Sequence, residues 1–543
     1  MRCAGLEVWF DQNELRSGDA WDRMIRKRIN ECAVFVPIIS ASTEKREEGY
    51  FRLEWKLAID RSYMMADDKA FLFPVVIDNT KEYTARVPER FRERQWTRLL
   101  DQDQANEFAA HLSGILLDGS QQATPGAAPP APAGPGSAPL TGTSWEDGFW
   151  IAVLPFRRIG SNPELQALSE GFCEEILTGL SRFSYLRVIA HHSTNSLDGN
   201  ITDVRDVGRA LNARYVMQGS LRQAGSRLRI SAQVLDTQSG AHIWAENYDR
   251  TFDADTIFEL LAELVPRIVS TVADQNGILP RSINAAVRTR PAEELSPYEA
   301  VLSSFSYLWR LTPKECLAGQ SVLKQALEQA PGYANAWAML GFLCGQAHAQ
   351  QFDPKTDFLS KALSAARRAV DTGPLNHMTH FSLAQALYFE REYESFRNSA
   401  LRTVELNPMD GNAIAFMGEL LSYSGDLERG MQLADAAKQL NPNHPGWYWI
   451  TDFYHAYIRK DYRGALSCAY RVELPEHWGM QLMLAAAHGQ LGETKPAATA
   501  LQRLEGMRPG FAATARVNLE RWFGPVYTAH LIEGLEKAGF EEP

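Results

Sequence analysis

NPMDGNAIAFMGELLSYSGDLERGMQLADAAKQLNP, residues 407–442, decides how the larger part of this chain folds. Asn407-Pro408 opens it and Asn441-Pro442 closes it, 34 residues on. A residue before proline avoids the α region, so a helix ends at each Asn-Pro. Gly418 is a small residue ten positions after Pro408, and Gly425, seventeen after it, marks a turn. The unit therefore reads helix, turn, helix. Moving outward, Pro374, Pro408, Pro442, Pro475 and Pro509 are spaced by 34, 34, 33 and 34 residues. Small residues recur ten after the proline at Gly341, Ala384 and Ala485, and Asp452 breaks the rule. Gly492 repeats the turn of Gly425. Pro331 precedes Pro374 by 43 residues, which predicts an insertion near Asp353–Lys361. Paired helices at a fixed period stack into a curved solenoid with a concave face. This assigns residues 296–543 to an all-α solenoid.

The remaining chain reads differently. The 543 residues are 45% hydrophobic and 22% charged, as in ordinary folded protein, and are enough for several domains. Residues 119–146 are rich in Pro, Ala, Gly and Ser and form a linker, since this composition builds no core. Residues 147–278 form an α+β unit. In Leu228–Asp236, Leu228, Ile230, Ala232 and Val234 alternate with Arg229, Ser231 and Gln233, which predicts a strand with one buried face. Turns at Ala224-Gly225-Ser226 and Gln238-Ser239-Gly240 join it to strands at Tyr215–Arg222 and His242–Tyr248. Residues 279–295 read as a second linker. Residues 1–118 alternate strand and helix: strands Leu6–Phe10, Ala33–Ile39 and Phe71–Ile77, with helices at Glu48–Ser62 and Ala105–Leu117. Continuous apolar strands between helices indicate a flavodoxin-like parallel sheet covered on both faces. Ligands of such sheets sit beyond the carboxyl ends of the strands. Asp11, Ser40 and Asp78 collect there.

Glu54 lies on the helix after the second of these strands. Residues one turn away are Tyr50, Phe51, Leu57 and Ala58, and none carries a charge. Such a carboxylate is either bonded to something distant, such as a loop backbone, or kept for chemistry. Asp11 and Ser40 read equally as loop caps, and Arg16 as a solvated loop charge. Trp447-Tyr448 and the aromatic residues after them look like a peptide-binding surface, but repeat core is the simpler reading.

Three resemblances follow from these residues. The 34-residue period resembles the tetratricopeptide repeat. Glu7-Val8-Trp9-Phe10-Asp11, the loop Gln12–Asp19, the strand Ala33–Ser40 and Tyr50-x-x-x-Glu54 resemble the TIR domain family. A TIR sheet opens with a strand and helix before the strand seen here at Glu7–Asp11, so the expectation is a TIR-like domain lacking both. In family members that cleave NAD+, the matching Glu is catalytic. The resemblance implies Glu54 in that role, with Asp11, Arg16, Ser40 and Tyr50 lining the nucleotide site. Loss of nicotinamide leaves an oxocarbenium-like ribose, which a carboxylate stabilises. Ile151-Ala152-Val153-Leu154-Pro155-Phe156, Gly171-Phe172-x-Glu174-Glu175, Tyr215–Ser220, Gln233–Asp236 and Gly240–Glu246 resemble the amino-terminal domain of TolB.

Function narrows accordingly. The net charge of −11 gives no global attraction for nucleic acid, and no phosphate-cradling glycine loop occurs. Six scattered cysteines, none in C-x-x-C spacing, suit a reducing compartment and exclude structural zinc; no metal site is expected. Apolar runs are too short for a transmembrane segment. The expectation is a cytoplasmic signal-transduction or adaptor protein. Its TIR unit would self-associate and its solenoid would bind protein partners. The alternative is a TIR-type NAD+ glycohydrolase regulated by the carboxyl-terminal region, with NAD+ as substrate and no resident cofactor.

Overall fold

The computed structural model describes residues 149–541, apart from 161, 163, 192–193, 195–202, 254–255 and 476. Within the first 148 it describes 29, 32–40, 43, 50–63, 71–78, 80, 87, 91, 96–99, 104, 108 and 112. The chain divides into two compact units, Met1–Ala138 and Pro139–Pro543, and the boundary falls inside the Pro/Ala/Gly stretch.

In the first unit, β1 (Ile38–Ile39), β2 (Val75–Val76) and β3 (Thr97–Arg98) form a parallel sheet in that order. A bridge between Phe35 and Leu72 extends the β1–β2 pairing toward the start of both strands. Helix α1 (Tyr50–Tyr63) turns Trp55, Ala58 and Ser62 inward, at i, i+3 and i+7. The Trp55 ring meets Phe91 edge-on at 5.4 Å. Arg61, in the last turn, donates to the carbonyls of Ile29 and Cys32 and lies 4.6 Å from the Phe71 ring centre. Sequence reading missed β3, because Thr97 and Arg98 show no apolar run. The pairing is made by backbone alone: Thr97 N–H donates to Pro74 and Leu99 N–H to Val76. The expected strand Leu6–Phe10 lies outside the described residues.

The second unit opens with a mixed sheet of β4 (Trp150–Val153), β5 (Arg157–Ile159), β6 (Arg187–Val188), β7 (Tyr215–Ala224), β8 (Arg227–Asp236) and β9 (His242–Thr251). Their order is β6-β4-β7-β8-β9, with β5 also paired to β7. The alternation in β8 holds: Leu228, Ile230, Ala232 and Val234 are buried. On the other face Arg229 pairs with Asp249 and Ser231 with Asn247 across the β8–β9 register. Helix α2 (Glu164–Ser181) covers one face of the sheet. Helix α3 (Val204–Leu211) packs Val207 against Ala152 and Val216 on the other face. Gly219 has a specific reason: a Cβ there would sit 2.2 Å from the Phe156 ring and 2.5 Å from the Ser231 carbonyl.

Helix α4 (Ile257–Ala273) leads into the solenoid without a linker. The stretch expected as the second linker, 279–295, is ordered. Helix α5 (Ile278–Val287) buries Leu279, Ile283 and Val287, four residues apart. Asn284 donates to the carbonyls of Leu302 and Ser303. The Arg, Pro and Ala content hid that helical stripe. Ser296 and Glu299 then form a capping box at the start of α6 (Pro297–Ser304).

The repeats follow as helix pairs. After α7 (Ser306–Arg310) and α8 (Pro313–Gln329), the first helices of the pairs are α9 (Ala334–Gln350), α11 (His377–Phe389), α13 (Gly411–Tyr423), α15 (Ile450–Ile458), α17 (Trp478–Gln490) and α19 (Phe511–Trp522). Their partners are α10 (Phe358–Thr372), α12 (Tyr393–Leu406), α14 (Leu427–Leu440), α16 (Tyr462–Arg471), α18 (Thr494–Met507) and α20 (Pro525–Lys537). Every proline of the period falls between pairs. Gly341 permits close helix crossing, since a Cβ would lie 2.5 Å from Ser382 Oγ and 3.1 Å from the Ala366 nitrogen. The insertion also appears: α9 runs to Gln350, and a turn built on Asp353 delays α10 to Phe358.

Candidate functional site

In the amino-terminal unit, Ser40 and Asp78 follow the carboxyl ends of β1 and β2, and both are engaged in turns. Ser40 N–H donates to Thr43 Oγ1 at 2.9 Å, whose hydroxyl donates back to the Ser40 carbonyl at 2.8 Å. Asp78 Oδ1 accepts from Thr80 N–H at 2.9 Å and from its hydroxyl at 2.5 Å. These are the loop caps that strand-end polar residues commonly make. Glu54 lies on α1, half-buried beside the inward Trp55. Asp11 and Arg16 lie outside the described residues, as does the Tyr50 side chain.

A concavity forms within the second unit. The inner helices curve until the last of them meet the first. Trp478 Nε1 donates to Gln350 Oε1 at 2.8 Å, and Arg508 donates to the Gln350 carbonyl at 2.6 Å. Arg508 also lies 4.6 Å from the Trp478 ring centre. Tyr388 donates its hydroxyl proton to the Trp522 carbonyl, and Arg391 donates to the carbonyl of Glu520. Gln350, the last residue of α9, stands just before the inserted turn and accepts from both Trp478 and Arg508.

Closure leaves an open-mouthed pocket between these helices. Its walls come from α7 through α19 and are aromatic, including Phe342, Phe381, Phe416, Trp447, Tyr454 and Trp522. Polar groups are few and held by neighbours: Tyr307 donates to Gln346 Oε1 at 3.2 Å. Glu419 accepts the Tyr423 hydroxyl at 2.8 Å, and burial raises its carboxyl to about 7. His477 is driven by burial to about 4 and is neutral. Sequence reading did not single out Glu419. The signal was present, since it is the sole charge in Ala413–Leu421. Of the aromatic stretch after Pro442, Tyr448 and Phe453 are core, while Trp447 and Tyr454 face the pocket.

A polar seam joins the sheet region to the solenoid. Asn335 and Asn412 stand four residues after Pro331 and Pro408, at the starts of inner helices. Asn335 Nδ2 donates to the Ser184 carbonyl at 3.0 Å, and Asn276 Nδ2 to Asn412 Oδ1 at 2.6 Å. His377 Nε2 lies 3.0 Å from Asp410 Oδ2, both fully buried. Asp274 is enclosed nearby, and burial together with the Asp410 charge pushes its carboxyl to about 8.

These features define a multidomain protein in which a parallel α/β unit precedes a sheet-and-solenoid unit. Residues 1–113 match the TIR domain family. The chain is 33% identical over 245 residues to "Putative adenylate cyclase 3" of Rhizobium meliloti (strain 1021), covering 45% of this chain and 41% of that relative. Among solved structures it is similar in part to YrrB, a TPR protein with a peptide-binding site (12% identity, TM-score 0.24, 39% of this chain and 97% of that one). It is also similar in part to TolB from Acinetobacter baumannii (17% identity, TM-score 0.17, 23% of this chain and 27% of that one). Residues 1–113 thus carry the TIR-family match, and a mixed sheet followed by paired helices makes up the second unit. Among the described residues no helix is long and apolar enough to cross a membrane.

Proposed function

We propose that this chain is a cytoplasmic signalling or adaptor protein with a separate output and sensor. The TIR unit is the output and acts by associating with other TIR units. The sheet-and-solenoid unit recognises a protein partner and governs that association. One observation carries the reading: the main hydrophobic cluster of the second unit runs from Ile151 in β4 to Phe540 beyond α20, with two smaller clusters beside it, while residues 1–138 form a unit of their own. A core shared by sheet and repeats suits a sensor that responds as one body. Sedimentation of the full chain tests the output. Self-association should depend on concentration and fall when surface residues of the 1–113 region are exchanged for opposite charges. A chain that stays monomeric throughout would remove this reading.

A second reading is favoured by Glu54, half-buried on the helix that follows β1. Here the TIR unit is an NAD+ glycohydrolase, and the Glu54 carboxylate stabilises the ribosyl cation as nicotinamide leaves. Nicotinamide release by the full chain should fall by roughly a hundredfold or more in Glu54→Ala, the scale expected when a charge-stabilising group is lost. Release that persists in the variant assigns the activity elsewhere.

A further inference from the structure

The solenoid pocket contains one carboxylate in walls that are otherwise aromatic and neutral. Phe416 and Tyr423 flank Glu419 one turn away on α13. Trp447 and Tyr454 come from the next repeat, and Trp522 from the closing helix. Among the described residues no Lys or Arg forms an ion pair with Glu419, and its hydrogen bond comes from the neutral Tyr423 hydroxyl. Trp522 lines the same wall, and its buried indole N–H has no acceptor.

We propose that this pocket binds a small organic cation, an ammonium carrying apolar or aromatic groups, with Glu419 as its counter-charge. Two independent properties select that class. Aromatic faces carry negative charge density and attract cations, most strongly where water is excluded. A buried carboxylate without a counter-charge is costly to ionise, and a bound ammonium removes that cost. An anion would be repelled by both, and a neutral ligand would satisfy neither. The contacts of Gln350, Tyr388 and Arg391 with the closing helices bound the pocket on one side and leave its mouth open, so a ligand of small-molecule size can enter.

Binding is then coupled to a proton. In the empty pocket burial keeps the Glu419 carboxyl near 7. The titratable groups that face it are Tyr423 on its own helix, Tyr388 on α11 and Tyr454 on α15, all held above their ordinary range. His477, across the pocket, titrates near 4. Arrival of a cation ionises Glu419, and its proton leaves to solvent. The proposal stands apart from the reading of the TIR unit, so failure of either leaves the other intact.

The test uses the full chain and benzyltrimethylammonium chloride, with benzyl alcohol and phenylacetate as neutral and anionic comparators. Fluorescence of the pocket tryptophans and calorimetry read binding. The cation should saturate one site and bind roughly tenfold or more tighter than either comparator, a ratio expected for a desolvated cation site. Its affinity should fall as pH drops from about 8 to about 5, with proton release on binding at intermediate pH. Glu419→Gln should weaken the cation by roughly tenfold and leave benzyl alcohol unchanged. No binding, equal binding of all three probes, or cation binding independent of pH would overturn the proposal. If Glu419→Gln does not fold, the three-probe comparison and the wild-type pH profile decide alone.

Discussion

Asp274 shows what burial does to one carboxyl. It follows α4 at the seam, fully enclosed, with Ser270 Oγ at 3.5 Å and the Asn276 N–H donating to it at 2.8 Å. Asp410 faces it from the start of α13, Tyr448 from the following repeat and Arg281 from α5. Burial is the largest influence, and the folded carboxyl lies near 8 against 3.8 for an unperturbed one. An acid raised on folding stabilises the fold fully below its unfolded value, and that stabilisation is lost as pH rises through the folded value. Stability from Asp274 is therefore present below about pH 4 and gone above about pH 8. Asp274→Asn should flatten the fall in urea midpoint across that window, by the largest margin between about pH 5 and 8. A slope equal to wild type would show that Asp274 ionises freely in the fold. Nothing along the chain marks this group, since Asp-Gln-Asn after an amphipathic helix reads as an ordinary polar loop. Glu54 stands out along the chain for the opposite reason: its helical neighbours are uncharged.

At the scale of elements, local pattern carries far where packing is local. The proline period and the alternation of β8 are readable, because each depends on spacing along one segment. The closing contacts are not, because their partners lie far away in the chain; β3 shows no apolar run, and composition hides the helical stripe of α5. Gly219 in β7 shows a reason hidden inside a motif. The Phe156 ring occupies the space of its missing side chain, so Gly219→Ala should cost about 1–3 kcal/mol of unfolding free energy in urea titration, the usual price of overpacking. A neutral result would mean the ring can move aside. Arg391 is informative in another way. It stands seventeen residues after Pro374, where Gly425 and Gly492 stand in their repeats, and it has φ +67°. That left-handed backbone costs a non-glycine residue about 1 kcal/mol. Its guanidinium donates to the Glu520 carbonyl and to the Tyr393 hydroxyl. Arg391→Ala keeps the strain and loses both bonds, so it should destabilise by about 1–2 kcal/mol. Arg391→Gly loses the bonds and relieves the strain, so it should stay within about 1 kcal/mol of wild type. If Gly is as damaging as Ala, strain is not part of the balance.

At the scale of the molecule, the question is how many pieces unfold. A stacked repeat array has only neighbour contacts, and its cooperativity weakens with length. Here two features oppose that. The closing contacts tie α17 through α19 to α9 and α11, more than 120 residues back. The seam ties the sheet region to the starts of α9, α11 and α13 through Ser184, Gln275 and Asn276. Opening any one repeat then breaks contacts with elements distant in sequence, which makes partial unfolding costly. Residues 139–543 should therefore melt in a single transition, distinct from that of the amino-terminal unit. Limited proteolysis should cut first within 119–146, where composition builds no core, and leave a carboxyl-terminal fragment that resists further cleavage. The decisive variant is Asn412→Leu, which leaves Gln275 and Asn276 without their partner at the seam. If the unit is one body, its whole transition moves to lower temperature and stays single, because sheet and repeats share the loss. A transition that splits, with the sheet signal leaving the helical signal behind, would show two domains that merely touch.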